Sequence, residues 1–177
     1  MLRIGSLMLW YKIITSVFLC FLITGCGFTP VYVENNKSLF NTQFRYIKID
    51  PIQDRVGQKL RNELIKILQP TGTASTLKYN LNVVISITKQ ELAIKKSELA
   101  TRSNLIFTAN FTLMKNESKT LLTNGSSRIV TSYNILDQVY ATKIAENDAQ
   151  TRAISEISRD IASKLGVFFR YQTKVKQ

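Results

Sequence analysis

From Leu77 to Ile87 every odd position is apolar or aromatic: Leu77, Tyr79, Leu81, Val83, Ile85 and Ile87. Lys78, Asn80, Asn82, Ser86 and Thr88 hold even positions, with Val84 the one break. A period of two cannot be laid on a helix, whose faces repeat about every 3.6 residues, so this stretch reads as a half-buried strand. Leu105, Phe107, Ala109, Phe111 and Leu113 repeat the pattern. A shorter alternation over residues 45–50, with Ile47 and Ile49 on one face, predicts another strand, which Pro51 ends. Residues 115–119 read as a hairpin turn into a last strand over 120–131. Within it, Asn124-Gly125 is either a type I′ turn or a bulge. Residues 89–104 lose the alternation and are expected to reverse the chain between the two long strands.

Two segments carry the helical period instead. Val56, Leu60, Leu64 and Ile67 recur three or four apart behind Asp54, a candidate N-cap, and Gln69-Pro70-Thr71-Gly72 stops the run. Ile154, Ile157, Ile161, Leu165 and Phe168 do the same within a helix expected over residues 140–169. The order is β-α-β-β-β-α. Its simplest solution is an α+β two-layer sandwich, with two amphipathic helices on one face of a four-stranded, mostly antiparallel sheet.

The N-terminal region has a different character. Arg3 and Lys12 precede an uncharged apolar run from Ile13 to Ile23, and no acid occurs before Glu34. The run is of signal-peptide length, about 7–15 residues, and short of the roughly 20 that an uncleaved membrane anchor needs. It leads directly into Ile23-Thr24-Gly25-Cys26. That sequence resembles a bacterial lipobox, in which small side chains enter a protease cleft and the cysteine thiolate takes a diacylglyceryl group. Cys26 is therefore the expected lipidation site, and more than one acyl chain makes a stable anchor. Gly27, rather than an acid, follows it, which favours outer-membrane sorting. The expected organisation is a lipoprotein signal peptide over 1–25, a lipidated tether over 26–44, one α+β domain over 45–170 and a basic tail over 171–177.

Composition narrows the chemistry. The 177 residues include 24 Lys plus Arg, 12 Asp plus Glu and no histidine, a formal net charge of +12. Without histidine there is no Ser-His-Asp triad, His metal site or imidazole pH switch. Both cysteines, Cys20 and Cys26, precede the domain, so no cysteine cage lies within it. No glycine run has phosphate-loop spacing. Glu146 and Asp148 read as a solvated helix face, and Ser126-Ser127 has no base but lysine. No cofactor is called for and no catalysis is expected. Cleavage after Gly25 removes only Arg3 and Lys12 among the charges, leaving about +10 to attract anions. An exported, lipid-anchored chain meets lipid phosphates rather than nucleic acid. Lys95 and Lys96, with Arg102 beyond them, are the candidate phosphate-binding cations, the plainer alternative being ordinary surface charge.

Several stretches resemble one family. Cys26-Gly27-Phe28-Thr29-Pro30-Val31-Tyr32 is similar to the mature start of the lipopolysaccharide-assembly lipoprotein family LptE, in its alphaproteobacterial form. The similarity continues through Arg55-Val56-Gly57-Gln58-Lys59-Leu60-Arg61-Asn62, Leu92-Ala93-Ile94, Ser132-Tyr133-Asn134-Ile135-Leu136, Tyr140-Ala141-Thr142 and Ala145-Glu146-Asn147-Asp148-Ala149. The resemblance implies two helices on a four-stranded sheet, with a continuous strand through Asn124-Gly125. It also implies a lipoprotein at the periplasmic face of the outer membrane, seated inside the β-barrel LptD, which it helps to assemble and partly plugs. Together the two pass lipopolysaccharide to the outer leaflet. Basic residues after the second strand bind lipopolysaccharide in the family, which falls on Lys95 and Lys96 here, with Lys143 as a further basic position. Ser103 stands where an aromatic residue is common in the family. The competing readings are an auxiliary lipoprotein of a phospholipid transport complex and, further off, a lipid-anchored hydrolase.

Overall fold

Alternating side chains give the long strands one apolar face each, and that face requires a cover. The computed structural model describes residues 43–94 and 100–175, with backbone alone at 93–94, 100–101 and 173–175. Its elements are β1 (Ile47–Ile49), α1 (Asp54–Leu68), β2 (Tyr79–Ile94), β3 (Ala100–Lys115), β4 (Leu121–Asn134) and α2 (Val139–Val175). The sheet order is β1-β2-β3-β4. β1 runs parallel to β2, and the other neighbours are antiparallel. Both helices contribute to one core with the inward face of the sheet, so the expected α+β sandwich is the fold.

The core is built around Phe107 on β3, fully buried with Leu81 of β2, Leu113 of β3 and Leu60, Leu64 and Leu68 of α1. α2 contributes Ala149, Ala153, Ile157, Ile161, Leu165 and Phe169, a buried stripe with a step of four. The expected stripe ended on Phe168, but Phe169 turns inward and packs edge-on against Phe44 and Tyr79. α1 is latched to β1 as well as packed. Gln69, buried at the helix end, donates its side-chain amide to the Ile47 carbonyl, and Arg61 Nε donates to the Ile49 carbonyl at 3.2 Å. A Cβ at Gly57 would stand 2.6 Å from Ile52 Cγ2, so glycine sets how closely α1 approaches the β1–α1 connection.

Four expectations are corrected. Asn124-Gly125 is neither a turn nor a bulge: β4 runs straight through it, and the register shift lies between Leu113 and Met114, opposite Leu121–Thr123. Gly125 pairs with Phe111, whose ring lies 2.7 Å from where a Cβ would be, so the aromatic ring fills the space the glycine leaves. Gln53, not Asp54, takes the cap position of α1, and Asp54 opens the helix with φ 67°. Residues 89–94 and 100–104 are paired strand rather than connection, with Ile94 opposite Ala100. Alternation fades there because the helix side of β2 beyond Ile85 is uncovered, leaving Ile87, Lys89 and Glu91 exposed. α2 likewise outruns the expected 140–169, continuing to Val175.

Candidate functional site

Of the basic residues singled out from sequence, Arg102 and Lys143 lie near one end of the sheet, where β2 and β3 pair out to Ile94 and Ala100, β4 ends and α2 begins. Lys95 and Lys96 belong to the residues joining Ile94 to Ala100 and, like Cys26, lie outside the described residues. Arg102 is exposed on β3, opposite Leu92 and Asn134. Strand parity puts it on the sheet face away from the helices, since its neighbours Ser103 and Leu105 bracket the buried side. Lys143 lies in the first turns of α2, on the helix side, exposed and bonded to Glu146 at 3.1 Å. The structure therefore brings Arg102 and Lys143 to the same end but to opposite faces.

Lys89 was missed because it falls in what reads as a connection. It lies on the helix side of β2, 5.9 Å above the Tyr133 ring and 3.8 Å from the Glu91 carboxylate. In register, Glu91, Ser103 and Tyr133 form one row across the sheet. Ser103, fully buried in the middle of that row, is small enough to let the Lys89 chain reach across toward Tyr133. The Tyr133 hydroxyl is buried without a hydrogen bond of standard geometry, so the Lys89 ammonium facing it is its principal polar neighbour. That hydroxyl, opposed by slight desolvation and aided by Glu91 and Glu146, holds the Lys89 ammonium above its ordinary pKa. Glu146 is ion-paired with Lys143 and acts on the Lys89 ammonium only at longer range.

Apolar side chains surround these charges. Ile87 is 40% exposed on β2, and Tyr140 and Ile144 are 78% and 51% exposed on α2. The start of α2 is fixed by Thr142, whose hydroxyl accepts from the Leu136 amide at 2.8 Å and donates to the Leu136 carbonyl at 3.0 Å. A fixed helix start, two ammonium groups and exposed aliphatic and aromatic surface suit an amphiphile with an anionic head.

The acids and serines noted in the sequence have these surroundings. Glu146 pairs with Lys143, and Asp148 with Arg152 one turn along. Ser127 is buried beneath α2, and Lys164 donates to Asp160 and to the Ser126 carbonyl. Among the described residues there is no group of three or more His, Cys, Asp or Glu side chains able to hold a metal ion.

These features define a small α+β sandwich that presents a basic, partly apolar sheet end. The chain belongs to the LptE family of lipopolysaccharide assembly, whose model matches residues 30–165. That family is one of non-enzymatic lipoproteins. An uncharacterized protein of Rickettsia prowazekii, RP188, is 27% identical over 153 residues, covering 86% of this chain and 94% of its own. Among solved structures, a candidate lipoprotein from Caulobacter crescentus superposes with a TM-score of 0.61 at 24% identity, over 75% of this chain and 96% of that one. A minor lipoprotein from Acinetobacter baumannii gives 0.56 at 16% identity, over 68% and 90%. At these identities the two structures speak to the fold.

Proposed function

We propose that this chain is a lipoprotein anchored through Cys26 at the periplasmic face of the outer membrane. There it binds lipopolysaccharide, seats in the β-barrel LptD and aids its assembly and the insertion of lipopolysaccharide into the outer leaflet. It performs no chemistry of its own. Residues 1–25 are the leader, 26–44 the tether, 45–170 the working domain and 171–177 a basic extension. The observation that carries this reading is that Lys89 on β2 and Lys143 early in α2 each stand beside exposed apolar side chains, Ile87 for the first and Tyr140 and Ile144 for the second. Ammonium groups there hold lipid A phosphates by charge-assisted hydrogen bonds, while the apolar side chains lie against the acyl region. Arg102 serves the opposite face, toward the saccharide or the barrel wall.

Replacing Lys95 and Lys96 together with Glu is expected to weaken binding of the detergent-solubilised full chain to purified lipopolysaccharide at least tenfold. The reason is that each charged hydrogen bond is worth about 1.5–3 kcal/mol. Affinity unchanged at matched salt would defeat the assignment of these two lysines. Co-purification of a large β-barrel from solubilised outer membranes tests the partner, and recovery of an inner-membrane transport complex in its place would refute it.

A further inference from the structure

The two edges of the sheet are treated differently. On β4, Lys164 reaches over from α2 and donates to the Ser126 carbonyl at 2.6 Å, occupying an acceptor in mid-strand. On the other side, β1 pairs with Tyr79–Leu81 alone, and the ladder closes where the Asp50 amide donates to the Leu81 carbonyl at 3.0 Å. Pro51 then leads the chain off the sheet through buried Ile52 into α1. Past Leu81, no described residue pairs with the outer edge of β2.

Strand parity identifies the groups exposed there. The Tyr79 amide donates to the Tyr46 carbonyl and the Leu81 carbonyl accepts from Asp50, so odd residues aim their backbone groups outward. Val83, Ile85, Ile87, Lys89 and Glu91 therefore present a row of amides and carbonyls. β2 has no proline, and its register with β3 runs without a shift. It lacks those two devices that blunt natural edges. Where the edge begins it borders a groove of about 230 Å³, with Pro51, Ile52 and Gln53 on one wall and Val83, Val84 and Ile85 on the other. At its mouth Asp54 is held at φ 67°. Val84, 62% exposed, and Ile87 offer apolar contacts above and below the edge.

We propose that this edge of β2 receives an extended segment of a second protein as an added strand. An amide and a carbonyl recurring at every second residue are matched by an extended polypeptide backbone, not by a lipid or a saccharide. Charge selects the source: cleaved copies each carrying about +10 repel one another, so a neutral or acidic segment of another protein is favoured over a second copy. Apolar residues of that segment lie opposite Val83–Ile87, and polar ones opposite the Lys89–Glu91 pair. The strand site borders the proposed lipopolysaccharide surface and shares Ile87 and Lys89 with it, but it engages their backbone groups, and the cross-linking below reads a protein strand separately from lipid.

The test places the photo-reactive residue p-benzoylphenylalanine singly at Val84, Ser86 and Thr88 of the full chain in its native membranes. These side chains are exposed and point off the outer face of the sheet, so folding is unaffected. The expected result is three adducts to one other protein, at positions stepping by about two residues along a single segment. Ile87→Pro, which removes an outward amide but no bond to β3, is expected to cut those adducts at least tenfold. Adducts to a second copy of this chain, adducts to lipid, attachment points scattered over several segments, or no adduct would each overturn the proposal. Should Ile87→Pro unfold the domain, the spacing of the adducts still decides.

Discussion

Gly125 shows how a single missing side chain governs a strand. Phe111 lies across it from the neighbouring strand, in the place a Cβ would occupy. Gly125→Val must push that ring out of the core and is expected to cost about 1–3 kcal/mol, read as a lower urea midpoint at unchanged slope. Asp160 illustrates a balance of opposing effects. Burial alone would raise its carboxyl, but the Lys164 ammonium outweighs it, and the nearby Ser127 hydroxyl, buried without ideal bond geometry, adds to the depression. A carboxyl whose folded pKa is lowered stabilises the fold above its unfolded value of about 3.9 and loses that contribution as pH falls through the folded value. Asp160→Asn should therefore cost about 0.3–0.5 kcal/mol between pH 5 and 8, as for exposed one-turn pairs, and the two stability curves should converge as pH falls through the folded value in denaturation series. Asn124-Gly125 illustrates the limit of reading at this scale. The dipeptide has turn chemistry, and only the cross-strand aromatic ring decides that it is strand.

At the scale of elements, legibility follows coverage. Residues 77–85 and 105–113 were plain in sequence because one face is covered and the other wet, which forces alternation. Residues 89–94 lie on the same strand but beyond the cover on their helix side, so nothing constrains their pattern, and Lys89 vanished into an apparent connection. α2 was legible through its isoleucines, whereas Ala149 and Ala153, equally buried, gave no hydrophobic signal beyond a repeat of four. The latch between α1 and β1 was also invisible, since a glutamine beside a proline reads as a helix stop. Gln69→Ala should strip the Ile47 carbonyl of its side-chain donor and cost about 1–3 kcal/mol, measured as the loss in thermal or urea stability. The effect should exceed that of Arg61→Ala, whose bond to Ile49 is longer and half-buried.

For the molecule as a whole, the composition limited the chemistry before any fold was considered. A chain with no histidine and twice as many basic as acidic residues is suited to holding anions rather than to transforming them. The structure adds direction to that charge. Lys89 lies on the helix side of β2 and Lys143 early in α2, while Arg102 lies on the reverse face of the sheet, an arrangement one-dimensional charge counting cannot give. The reach of Lys164 across β4 has a consequence of its own. Head-to-tail polymerisation through sheets requires every copy to offer two vacant sides, as links in a chain need two open hooks. With an acceptor on one side taken by its own lysine, this protein has its more open hook on the other, which favours lengthening by one guest over growth in both directions.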